Sequence, residues 1–187
     1  MIRHIILVLT SSYILSAEAS DNKYIDFFNS TASKLVKEYR LPITSDMKYA
    51  WKEKGGYTYK TKDSSDEYKA PYWTSGFFNG DKQLDYAYIL ISHKNNKKQL
   101  IAFISSNNGY VAYKLDDSQN TEMGVATQDS GVLDTASGKG YWEPSADDPP
   151  MVNIVNHAIS YFMFESASSV FIWNDKSKSF KRHWISD

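Results

Sequence analysis

Residues Asp85–Leu115 read DYAYILISHKNNKKQLIAFISSNNGYVAYKL, and the fold depends on how this run is divided. Asp85–Ser92 (DYAYILIS) is short, apolar and rich in Tyr and Ile, as a strand requires. Asn95-Asn96 supplies a turn, and Gln99–Ser105 (QLIAFIS) is the returning strand. Asn107-Asn108-Gly109 is a strong hairpin signal, because its residues tolerate the left-handed backbone that tight turns need. Tyr110–Leu115 (YVAYKL) is then a third strand, and the three form an antiparallel meander. Further on, Ile154–Glu165 reads as a strand. Ser169–Asn174 and Phe180–Ile185 make a last hairpin around Asp175–Lys178. Asp116–Pro150 is rich in Gly, Ser, Asp and Pro and is expected to be irregular toward its end.

Upstream of the meander the period changes. Ile25, Phe28, Ala32, Leu35, Val36 and Tyr39 recur at steps of three and four, which predicts a helix over 22–40 that Pro42 ends. Residues 45–70 are polar and read as loop, with a weak strand near Tyr57–Lys60. The expected fold class is α+β: an N-terminal helix packed on a mostly antiparallel β-sheet, made of the meander plus the C-terminal hairpin. Its core is expected to hold Ile89, Ile91, Ile101, Phe103, Val111, Phe162, Phe164 and Trp173, with Leu35 and Val36 covering part of it.

The first nineteen residues carry Arg3, then the apolar run IILVLTSSYIL, then SAEA with Ala17 and Ala19 at the spacing of a signal-peptidase site. That pattern is a secretory signal, too short to span a bilayer stably. Residues 20–187 are expected to form one globular domain, located in the periplasm. No second apolar run of about 18 residues follows, so no membrane span is expected after cleavage. A net charge of -1 argues against a nucleic-acid partner, which needs a basic stripe. The absence of cysteine excludes disulfides, thiol nucleophiles and Cys-based zinc sites. The 14 Tyr, 9 Phe and 5 Trp favour a sheet-rich core held by burial alone.

Ahead of the first meander strand stands FFNGDKQLD, Phe77–Asp85. Calcium wants six to eight oxygens, drawn from alternate positions of a tight loop with Gly at the sharp turn. Asn79, Asp81, the Gln83 carbonyl and Asp85 fall at such positions. The segment resembles the calcium loop of FG-GAP repeats, which runs Asp-x-Asn-Gly-Asp-Gly-x-x-Asp into an apolar strand. Phe77 stands where that pattern has its first Asp, and Lys82 where it has its second Gly. One carboxylate is lost and one ammonium gained. The expected cofactor is therefore none, with weak calcium binding at Asn79, Asp81, Gln83 and Asp85 as the alternative. Otherwise the loop serves as a turn whose Asn and Asp bond their own backbone.

Catalytic signatures are sparse. His93, His157 and His183 lack zinc-protease spacing, no Gly-x-Ser-x-Gly elbow occurs, and the Gly138–Gly140 stretch GKG is not a phosphate loop. Glu165 interrupts an apolar run. The segment Gly138–Pro150 joins an aromatic residue, Trp142, to the acids Glu143, Asp147 and Asp148, the make-up of a recognition loop. SGKGYWEP, YFMFESASSVFIWN and FKRHWISD look like a family of small exported bacterial proteins that also carry a calcium-like loop. In plan the chain resembles periplasmic immunity proteins. That resemblance implies a non-enzymatic inhibitor whose partner is a secreted effector aimed at the cell envelope, met through Trp142, Glu143, Asp147 and Asp148. Two alternatives stand beside it. One is a calcium-stabilised module binding cell-wall carbohydrate, and the other is a hydrolase using paired carboxylates.

Overall fold

A computed structural model of the chain describes residues 23–43, 46, 58–60, 67–69, 72–118, 123–163 and 166–186. The signal expected over 1–19, most of the expected 45–70 loop, and the side chains of Phe164 and Glu165 lie outside the described residues. The protein is mostly antiparallel β-sheet with one short helix. No helix among the described residues is long and apolar enough to cross a membrane.

The helix, α1, covers 23–35. It includes a π-helical turn at Phe28–Ala32 and closes with an α turn at Ser33–Leu35. It is shorter than the predicted 22–40, because Val36 leaves helical geometry (φ -132°) and Tyr39–Arg40 pairs instead as strand β1. Phe27, Phe28, Ala32 and Val36 are buried, whereas Leu35 is 46% exposed and covers no core. After the π-helical turn at Phe28–Ala32, which shifts the α-helical spacing, Val36 rather than Leu35 continues the buried face.

Two short strands, β2 (Thr58–Lys60) and β3 (Glu67–Lys69), pair as a separate ribbon. The first large sheet centres on β5 (Asp85–Ser92). On one side β5 pairs with β6 (Lys98–Ser106), which pairs with β7 (Gly109–Ser118). On its other side, β4 (Trp73–Gly76) and β1 share the two ends of β5. The predicted meander is thus present. Its turns use the residues expected, with Asn96 at φ 55° and Gly109 at φ 108°.

The region Asp116–Pro150 holds two strands in its first part and is irregular after Asp134, as expected of its end. β8 (Met123–Gln128) joins β11 (Ala158–Met163), β12 (Ser168–Asn174) and β13 (Ser179–Ser186) in a second four-stranded sheet, ordered β13-β12-β11-β8. β9 (Gly131–Asp134) pairs with β10 (Met151–Ile154) in a further ribbon. So the fold has two large sheets where the sequence reading foresaw one. A six-residue strand such as MGVATQ carries little period-2 contrast, and only its partner β11 marks it as a strand.

The two sheets share one core. Tyr110 meets Phe27 of α1 with ring centroids 4.8 Å apart, while Tyr113 meets Trp173 of β12 at 5.4 Å. Positions 110 and 113 differ in parity, so they stand on opposite faces of β7. Phe27 of the helix thus meets Tyr86 and Tyr110 on one face of the first sheet, and the second sheet lies over the other. Ile89, Ile91, Ile101 and Phe103 are buried as expected, and Phe162 and Trp173 are partly buried against the core. Val111 is the exception, at 46% exposure. It lies near the turn end of β7, which is the free edge of its sheet, where little of the second sheet reaches.

Candidate functional site

The segment 135–150 closes the β9–β10 ribbon and is held from beneath by buried hydroxyls. Thr135 Oγ1 donates to Pro149 O at 2.6 Å, and Ser137 Oγ lies 3.0 Å from Asp148 O and 2.9 Å from Thr135 Oγ1. Thr135 N–H donates to Pro150 O, and Tyr141 N–H to Ala136 O, both at 3.0 Å. Gly138 approaches Pro150 so closely that a Cβ there would sit 1.9 Å from its carbonyl oxygen. The loop is also tied to β13. Ala136 N–H donates to Trp184 O at 2.8 Å, and Lys139 Nζ to Ile185 O at 2.9 Å. A segment rich in Gly, Ser and Pro is thus held in one shape by its own hydroxyls and backbone.

What this loop presents is aromatic and acidic. Trp142 (37% exposed) donates its indole N–H to Asp148 Oδ2. Trp142, Asp147 and Asp148 face Arg182 and Trp184 of β13 across a cleft of about 480 Å³. Glu143 is exposed on the same loop but is outside the cleft lining. Three of the four residues singled out from the sequence line this cleft, and its opposite wall was not among them. Arg182 lies over the Trp184 ring at 4.0 Å, donates from Nε to Ser169 Oγ at 3.0 Å, and pairs with Asp116 at 3.3 Å. Burial nonetheless raises the Asp116 carboxyl above its ordinary value, against the pull of Arg182. Lys181 reaches Asp147 at 3.6 Å. The only signal that could have placed Arg182 and Trp184 here is their shared parity on β13.

The calcium-like loop does come together, with its oxygens turned inward. Asp85 is fully buried. Its Oδ2 accepts from Phe78 N–H (2.7 Å) and Asn79 N–H (3.2 Å), and its Oδ1 accepts from Ser105 N–H (2.8 Å). Asn79 Oδ1 accepts from Asp81 N–H, and Asp81 Oδ1 from Gln83 N–H, as Asx turns do. Lys82 takes the left-handed conformation (φ 65°) that the Gly of a calcium loop would take. Among the described residues no three His, Asp or Glu are grouped to hold a metal. A cation would have to displace these backbone donors, so the residues present suit a turn better than a calcium cage.

Ser105 Oγ makes the electrostatics of this loop unusual. It lies 2.8 Å from Asp81 Oδ2 and 2.7 Å from Asp85 Oδ1, yet a hydroxyl has one proton to give. The Ser105 O–H therefore serves one carboxylate at a time. Burial pushes the Asp85 carboxyl up, despite its backbone donors. For Asp81 burial acts in the same direction, but the donors at Gln83, Ser105 and Asn79 outweigh it and hold the carboxyl below its ordinary value. One serine hydroxyl thus lies between two carboxyls whose proton affinities move in opposite directions, Asp85 up and Asp81 down.

The three histidines are dispersed. His93 is exposed in the β5–β6 turn. His157 Nδ1 accepts from Phe77 N–H at 3.1 Å and its ring stacks on Phe77 at 5.6 Å, so it clamps the 77–84 loop. His183 is buried in β13, its proton affinity lowered by desolvation. Comparison of the chain with family models, with curated proteins and with solved structures finds no match.

Proposed function

We propose that the protein works without catalysis, as a periplasmic binding protein of the immunity type that blocks a secreted effector aimed at the cell envelope. The observation that carries this reading is the rigid 135–150 loop, which holds an exposed Trp142 beside Asp147 and Asp148 and opposite Trp184 and Arg182. Trp and Arg are the residues that dominate binding hot spots, and a loop already ordered loses little entropy on docking. The acids would speed encounter with a basic partner surface.

The ribbon that carries the loop extends the same surface. Val132, Asp134, Met151 and Asn153 share its exposed face, while Val152 and Ile154 point into the protein. An apolar patch bordered by acids on a small exported domain fits a protein partner.

The test is to express candidate effectors in the periplasm with and without this protein, and to capture partners from the producing cell. Protection that is lost in Trp142→Ala, with the fold intact, supports the reading. A hot-spot tryptophan is worth about 2 kcal/mol or more. If no effector is neutralised and Trp142→Ala changes no captured partner, the reading is wrong.

A further inference from the structure

A second concave site lies at the opposite end of the sheets from the Trp142 loop's ribbon contacts, and its lining has a different chemistry. It is a cleft of about 380 Å³ between the 77–84 loop, the β6–β7 turn and the β12–β13 turn. That volume lies within the about 300–1,000 Å³ typical of small-ligand sites. One wall is aromatic and apolar, with Trp173, Tyr113 and the exposed Val111. Trp173 is braced edge-on by Tyr113 (5.4 Å) and Phe180 (5.2 Å), so its position is set by packing. The other wall is polar, with Asn79, Asp81 and Asn107.

The charges facing the cleft nearly cancel. Lys178 Nζ pairs with Asp175 Oδ1 at 2.5 Å across the β12–β13 turn, which leaves Asp81 as the single unbalanced charge. Such a site offers little to a strongly anionic or cationic ligand. The Asn107 side chain has no hydrogen-bond partner among the described residues. Asn79 is already engaged with Asp81 N–H and Ser105 O, but the Asn107 amide can donate and accept, and the exposed Asp81 carboxylate has lone pairs beyond its bonds to Gln83 and Ser105, which matches a ligand with several hydroxyls. The wall opposite them, Trp173 with Tyr113 set edge-to-face at 86°, offers apolar aromatic surface to the C–H groups of a sugar ring.

The geometry points to this cleft as a binding site for a neutral oligosaccharide of one to three rings, held by Asp81 and Asn107 against the Trp173–Tyr113 wall. The exposed Val111, unexpected for a core strand, is then part of the site floor. Of the calcium-like loop, Asp81 serves here as the hydroxyl partner. This site is independent of the Trp142 cleft, and either can exist without the other.

The experiment is an amide-resolved NMR titration of the folded protein with two probes, tri-N-acetylchitotriose and cellotriose. Saturable shifts of the Trp173 indole and of the Asn79 and Asn107 side-chain amides, with either sugar, are expected. Asn107→Ala and Asp81→Asn each weaken binding about fivefold, the worth of one lost hydrogen bond. Trp142→Ala leaves it unchanged. Asn107 is an exposed turn residue with negative φ, so its variant is expected to fold normally. The proposal is overturned if neither sugar shifts these signals up to about 10 mM, ten times the Kd of a millimolar site. It is equally overturned if the shifts gather at Trp142 and Trp184, or if both variants bind as the unchanged protein does.

Discussion

Replacing Asp85 by Ala tests the account of the 77–85 loop most directly. The side chain accepts from the backbone N–H groups of Phe78, Asn79 and Ser105 and contacts Ser105 Oγ, all in buried or half-buried surroundings. Alanine leaves three backbone donors without an acceptor. Each buried orphan costs about 1–3 kcal/mol, and water entering the loosened loop recovers part of it, so a loss of at least about 3 kcal/mol is expected. For a chain of this length that lowers Tm by roughly 6–12 °C. Urea unfolding followed by near-UV circular dichroism reads the loss. Asp85→Asn should cost less, because its oxygen still serves Phe78 and Asn79, although its NH2 then meets the Ser105 N–H, donor against donor. The same substitution isolates the pH effect. A carboxyl raised in the folded state stabilises below its unfolded value, and that stability fades as pH rises through the folded one. Asp85→Asn should therefore flatten the stability profile from the ordinary carboxylate range upward. A cost under about 1 kcal/mol for Asp85→Ala would refute the claim that this carboxyl organises the loop.

Further outcomes follow from other parts of the molecule. Phe103 is fully buried between Phe27 and Tyr88, so Phe103→Ala should cost about 3–5 kcal/mol in urea unfolding, and a near-neutral result would contradict the core assignment. Gly138→Ala must push Pro150 away, since its Cβ would stand 1.9 Å from that carbonyl oxygen. About 1–3 kcal/mol of destabilisation is expected, together with altered fluorescence of Trp142 on the same loop. Calcium should move Tm little, because a weak site at about millimolar ligand adds under about 1 kcal/mol. A large calcium-dependent rise abolished by Asp81→Ala would show that the loop binds the ion after all.

Much of the central meander was legible because its signals are local. Asp85–Ser92, Lys98–Ser106 and Gly109–Ser118 each carry dense β-forming residues, and the turns between them contain Asn or Gly where positive φ is needed. The C-terminal hairpin was legible for the same reason, with Asn174 accepting from the backbone of Lys176 and Ser177 to form its turn. β8 and β9 were not, because short strands among Gly, Thr and Ser show no clear period. The end of the helix was also missed. Tyr39 fits a helical spacing, but pairing with Ser92 of β5 drew it into a strand.

The candidate sites divide along the same line. Sequence alone brought Asn79, Asp81, Gln83 and Asp85 into one loop, and Trp142, Asp147 and Asp148 into another, because neighbours in the chain are neighbours in space. It could not show that Asp85 spends its oxygens on the backbone of Phe78, Asn79 and Ser105, nor that Arg182 and Trp184 stand across from Trp142. The first needs β5 paired with β6, which brings Ser105 to Asp85 over 20 residues, and the second needs the 135–150 loop seated on β13. Local backbone preference and alternation set each strand by itself. Which faces meet, and so which polar groups are satisfied and which side chains line a cleft, is decided only when the whole core closes.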